Sequence, residues 1–327
     1  MPNIESCSFR TVCILLGGLL CNPAYPAPLL TVDQNPLTAI YGLPLPQDAR
    51  IPQAGSGAFT TSANFSSMMI IDASSEELLF MDGETHRLNL ILDQGLSRDW
   101  SLRLLLPWIE HVPGFMDRPI DRFHEIFGLS AGERPTQPRD RLLYSIQRNG
   151  DQLLYVDSER SGMGDLQLIL NRQLRRSDRS AWSLAGGVKA PTGDSAQLTG
   201  SGSADASVWT AGWWRLEDDM EASASAGLLF PGESDVLTRY QTNQVAFGHA
   251  GLQWQVWQPT MVKLQLDWHT RFYENMDSAF VGDVLQLSFG GAWRPSENTG
   301  LDFTLTEDIK VDASPDATFN ISLRMDY

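Results

Sequence analysis

Residues 317–327 read A-T-F-N-I-S-L-R-M-D-Y and alternate apolar and polar without a break. Phe319, Ile321, Leu323, Met325 and Tyr327 share one parity; Thr318, Asn320, Ser322, Arg324 and Asp326 share the other. A strand sends successive side chains to opposite faces, so this segment predicts one apolar and one polar face. In water, such a strand at an open sheet edge invites aggregation. A closed barrel in lipid requires it: apolar outside, polar inside, aromatic at the interface.

The same alternation recurs upstream. Residues 57–68 carry it weakly. Residues 85–94 set Leu88, Leu90 and Leu92 against Arg87, Asn89 and Asp93, and residues 100–110 align Trp100, Leu102, Leu104, Leu106 and Trp108. Further strands are predicted over 165–174, 181–189, 204–214, 220–230 and 244–256. Residues 261–273 oppose Val262, Leu264, Leu266, Trp268 and Phe272 to Lys263, Gln265, Asp267, His269, Arg271 and Tyr273. Residues 283–294 and 299–306 then lead to the terminal strand. The total is twelve, an even number as single-chain outer-membrane barrels have. The expected fold class is therefore all-β, a transmembrane antiparallel barrel.

Connection lengths agree. Those at 95–99, 175–180, 215–219, 257–260 and 295–298 are short, while the intervening ones are mostly longer, reaching about fifty residues between 108 and 165. Short periplasmic turns and long external loops are the outer-membrane arrangement, and the phase puts both chain ends in the periplasm. Trp100, Trp182, Trp214, Trp254, Trp293 and Tyr327 fall at the short-turn ends, and Trp108, Phe230, Phe272 and Phe319 at the long-loop ends. Two lipid–water interfaces predict two such aromatic girdles.

The N-terminus adds export. Arg10, an apolar run over 11–21 and Asn22-Pro23-Ala24 predict a cleaved secretory signal over residues 1–24. The run is too short to span a bilayer as a helix. Cys21 raises lipidation, against which bulky Leu20 argues. Cys7, Cys13 and Cys21 are the only cysteines, so the mature chain is expected to hold no cysteine metal site. The five histidines lack ligand spacing, and no cofactor is expected. A formal charge of −16 without a basic cluster opposes nucleic-acid binding. Residues 25–54 contain six prolines and predict an extended arm, in the periplasm or folded back into the lumen; the barrel follows over 55–327.

Candidate chemistry is sparse. In the long external loop, 112–164, Asp117, Pro119 and Gly128 predict a short helix, as a lid over the mouth or packed on the rim. Asn149-Gly150 predicts a hairpin extending the sheet externally. The glycine-rich stretch 190–203 lacks the Lys-Ser/Thr and helix of a phosphate loop. Lys189, Lys263, Asp267, His269, Arg271 and Arg294 are the candidate lumen-facing groups, consistent with a narrow channel or uptake route for a small solute. A structural or surface-contact barrel without transport is the alternative. A barrel-embedded lipid hydrolase using His269, Ser288 and Asp267 is the weaker one; no enzyme is expected. The expected setting is the Gram-negative outer membrane. Partners there are the bilayer with its lipopolysaccharide, and the barrel-insertion machinery through the C-terminal strand.

Several strings carry a resemblance: Asn35-Pro36-Leu37 with Tyr41-Gly42-Leu43-Pro44, Asp82-Gly83-Glu84-Thr85, and Gly114-Phe115-Met116-Asp117 with Phe123-His124. To these add Gly162-Met163-Gly164-Asp165, Lys189-Ala190-Pro191-Thr192-Gly193-Asp194 through Leu198-Thr199-Gly200-Ser201-Gly202-Ser203-Ala204-Asp205, and Glu307-Asp308. They resemble an uncharacterised proteobacterial outer-membrane family, the domain of unknown function number 3187. The Lys189 to Asp205 run is also similar to outer-membrane proteins encoded with aromatic-compound degradation. The resemblance implies a barrel and no catalytic residues.

Overall fold

The computed structural model describes residues 27–127, 138–309 and 314–327; the expected signal over 1–24 lies outside them. The strands are β1 (Gly57–Ala73), β2 (Glu77–Gly95), β3 (Trp100–Val112), β4 (Leu143–Arg148), β5 (Asp151–Val156), β6 (Arg160–Met163), β7 (Leu166–Arg176) and β8 (Ser180–Ala190). They continue with β9 (Asp205–Arg215), β10 (Met220–Phe230), β11 (Val245–Trp257), β12 (Thr260–His269), β13 (Val284–Ser296), β14 (Thr299–Asp308) and β15 (Ala317–Asp326). Consecutive antiparallel pairing runs from β7 round to β15, which pairs with β1 from Ala58↔Asp326 to Ser67↔Ala317. β2 and β3 complete the ring, and β6 continues into β7 along the β3 edge. The result is a closed barrel with the twelve walls the alternation predicts.

Solvent selects the outward set. Leu88, Leu90 and Leu92 on β2, Val262, Leu264 and Leu266 on β12, and Ile321, Leu323 and Met325 on β15 all stand exposed, with their polar neighbours turned inward. Trp100, Trp182, Trp254, Trp293 and Tyr327 are exposed at the short-turn end, where Trp214 packs edge-on against Trp182 at 5.1 Å. Trp108, Phe230 and Phe319 are exposed toward the long-loop end. Phe272 departs from expectation. β12 stops at His269, so the parity extended to 273 does not hold, and Phe272 is buried.

The first hairpin also differs from the sequence reading. β1 and β2 run on to a tight turn at residues 74–76, rising past the other walls, and the β4–β5 hairpin joins that extension through β2. Met68, Ile70, Leu79 and Met81 bury there against Tyr144 and Ile146. Inward-folded loop residues Leu198, Leu237, Phe272, Tyr273 and Phe280 belong to the same cluster. The main apolar core thus lies inside the barrel at its long-loop end, whereas the alternation predicts polar inward faces.

The predicted helix is present as α1 (Asp117–Phe127). It sits on the outer wall near the rim. Met116 and Ile120 pack on outward Phe65, Leu305 and Ala317. Glu84 Oε1 accepts the Phe115 and Met116 N–H groups at 2.6 and 2.5 Å. Gly114 has φ +82°, and a Cβ there would collide with the Glu84 carboxyl, so only glycine lets the chain turn so close. This places α1 on the rim rather than over the mouth.

Candidate functional site: the lumen and the arm inside it

Residues 27–56 enter the barrel, and most of their side chains are buried. The rising limb runs alongside β12 in the same direction. Lys263 Nζ donates to Ala27 O at 2.7 Å, Leu29 N to Gln265 Oε1 at 3.0 Å, and Thr31 Oγ1 to Asp267 Oδ2 at 2.6 Å. His269 Nε2 meets Asp33 Oδ2 at 3.2 Å, and Tyr273 Oη donates to Leu37 O at 2.9 Å. Each pair is separated by 236 residues, so two extended segments advance together at strand rise. Burial pushes the Tyr273 phenol well above its ordinary value, which keeps it a donor.

At the long-loop end the arm turns over within residues 35–41. Asn35 Nδ2 donates to Phe280 O at 3.0 Å, and Tyr41 stacks on Phe272 at 4.6 Å. The falling limb is then fixed at one ionic node. Lys189 Nζ lies 2.6 Å from Asp165 and 3.2 Å from Asp205, and it donates to Ser201 Oγ and Ile40 O. Two carboxylates outnumber the single ammonium, and backbone N–H groups balance the excess. Gly42 and Gly232 donate to Asp205, and Gly193 and Ser201 to Asp165. Four of the family-like strings therefore converge here from distant parts of the chain.

Lower down, Arg50 binds Asp48, approaches Glu221 at 3.3 Å and lies 3.9 Å over the Trp213 ring. Gln173 holds Ala49 O and Ile51 N. The arm leaves at the short-turn end, where Gly57 and Tyr327 exchange backbone hydrogen bonds. It enters and exits by one mouth, as a folded-back plug.

Of the predicted lumen groups, Lys189, Lys263, Asp267, His269 and Arg294 face inward, and Arg294 shares Asp302 with Lys263 at 2.9 and 3.1 Å. Arg271 does not. It lies beyond the end of β12, half exposed, 3.4 Å from Asp283. The hypothetical triad is not assembled either. Both His269 nitrogens are engaged, by Asp33 and by Thr270 O, while Ser288 bonds Thr306 at 2.7 Å. Inward Trp209 and Trp213 escaped the sequence reading although they share the parity of Asp205. That parity was the signal available. Small clefts remain between arm and wall, one beside Trp209 and His249 and others beside Arg103 and Arg324.

The model of the family described as "Protein of unknown function (DUF3187)" matches residues 4–327. Among solved structures, the COG4313 outer membrane channel from Pseudomonas putida F1 is similar with a TM-score of 0.57 at 14% identity, covering 87% of this chain and 100% of that one. The KdgM porin in complex with disordered oligogalacturonate gives 0.45 at 5%, over 82% and 98%. The Ralstonia pickettii toluene transporter TbuX gives 0.44 at 10%, over 84% and 90%. No curated protein matches. The first of these likenesses carries the fold, that of an outer-membrane barrel.

Proposed function

The chain belongs to the family described as protein of unknown function DUF3187, and we propose that it is an outer-membrane channel for a small solute, closed by its own N-terminal arm. The observation that carries this reading is the double passage of residues 27–56 through the lumen. The arm is held by hydrogen bonds and by the Arg50–Glu221 ion pair, and the described residues include no cysteine that could fix it covalently. Such contacts are individually modest and exchange with water. A plug that enters and leaves by one mouth can shift without unthreading. In this reading residues 1–24 direct export, the short-turn end faces the periplasm and the outer girdle meets lipopolysaccharide.

Planar-bilayer recording tests it. The intact chain is expected to give small or rare openings, and deletion of residues 27–53 the steady conductance of an unplugged twelve-stranded pore. A folded deletion variant, verified by its heat-shifted gel mobility, that passes no current would defeat the proposal.

A further inference from the structure

The arm does not satisfy the lumen evenly. Its rising limb lies on β12 and its falling limb is tied mainly to β7, β8 and β9. On β10 and β11 several inward atoms are buried without a hydrogen-bond partner: Ser223 Oγ, His249 Nε2 and both amide atoms of Gln253. Register aligns them as one strip, with Ser225 opposite His249, Ser223 opposite Gly251, and Glu221 opposite Gln253. Successive rungs on a face are about 7 Å apart. Inward Gly251 presents no side chain, and a Cβ there would lie 3.2 Å from Ser223 Oγ and 3.5 Å from Gln265 Oε1, so β10 and β12 approach each other closely over it.

The upper rung lines a small cleft, walled by Trp209 and Phe247 on the barrel side and by Val32, Leu43 and Leu45 on the arm. The other polar groups lining it, Thr31, Asp33, Asp267, His269 and Gln286, are tied to partners. His249 is held by Ser225 Oγ at 2.6 Å through Nδ1, which leaves Nε2 with no protein partner. Serine hydroxyls and the glutamine amide can each give and take a hydrogen bond without a fixed charge, and the Glu221 carboxylate at the lowest rung is committed to Arg50 and the Trp213 ring N–H. The charged lumen groups Lys189 and Lys263 are neutralised elsewhere.

We infer that the β10–β11 strip is the solute path, and that its solute is uncharged, with a compact apolar body and a hydroxyl group. This rests on the channel reading and names its solute class. The aromatic walls accept the body. A hydroxyl both donates and accepts, so it satisfies Nε2 whichever ring nitrogen carries the proton.

The test is a fluorine NMR titration of the full chain in detergent micelles with para-fluorophenol and with fluorobenzene, against protein-free micelles. One saturable site for para-fluorophenol is expected, with fluorobenzene weaker by about three- to tenfold, the worth of one hydrogen bond. His249→Phe should erase that preference and His249→Gln should keep it, both variants retaining the heat-shifted mobility of a folded barrel. Absence of saturable binding, equal affinity for the two probes, or an unchanged preference in His249→Phe overturns the assignment. A protein that binds with the preference yet never conducts would refute the channel and leave the site standing. One that conducts without the preference would refute the site alone.

Discussion

Leu264 and Gln265 are neighbours on β12 that answer to different surroundings. Leu264 is 46% exposed on the outer wall, with no partner beyond its own sheet, whereas Gln265 is 2% exposed and holds Leu29 and Thr31 of the arm. The outer wall repeats one rule, residue after residue, because its surroundings are uniform. The inner face of β12 is a set of individual appointments with a segment 236 positions away. One face is specified by parity and the other by tertiary contact.

The largest test of the inner wall is its ionic node. Lys189→Met would leave Asp165 and Asp205 buried together without their cation, at a cost of about 3–5 kcal/mol in the denaturant midpoint. Neutralising both carboxylates as well should recover much of it. On the outer wall, Leu264→Arg puts a charge on the lipid side of a spanning strand, expected to cost about 2–4 kcal/mol in refolding into vesicles and much less in detergent. Equal cost in both media would mean that this face does not meet hydrocarbon. Gln265→Leu, one residue on, should cost about 1–3 kcal/mol by unpairing arm groups. It should also raise the opening frequency in bilayers, which Leu264→Arg should not. Arg271→Ala is the smallest, expected within about 0.5 kcal/mol, because its pairing with Asp283 is solvent-exposed. A large loss there would reinstate Arg271 as a lumen group.

These differences explain what the sequence discloses. The strand count, the short-turn phase, the outward girdle and the β4–β5 hairpin all follow from local periodicity and turn residues. Phe272 and Arg271 mislead because nothing local marks the end of β12 at His269, so the parity was extended too far. Met68, Ile70, Leu79 and Met81 belong to strands whose upper parts leave the membrane pattern and bury under a hairpin, where alternation no longer reports lipid. The arm is illegible for a different reason. Asp33, Asn35, Tyr41 and Gly42 look like an extended proline-rich stretch, and only the closed barrel brings His269, Phe280, Tyr273 and Asp205 to them. The family-like strings mark the Lys189 node one strand at a time without revealing that they meet.

The central claim is that the arm lives inside the barrel. Hydrogen–deuterium exchange on the intact chain in lipid vesicles measures it most directly, at the amides of Leu29, Leu37, Tyr41, Gly42 and Ile51, each of which donates a hydrogen bond inside the lumen. Protection approaching that of β12 amides is the predicted result. Exchange at the rate of an unstructured peptide across residues 29–51 would contradict it.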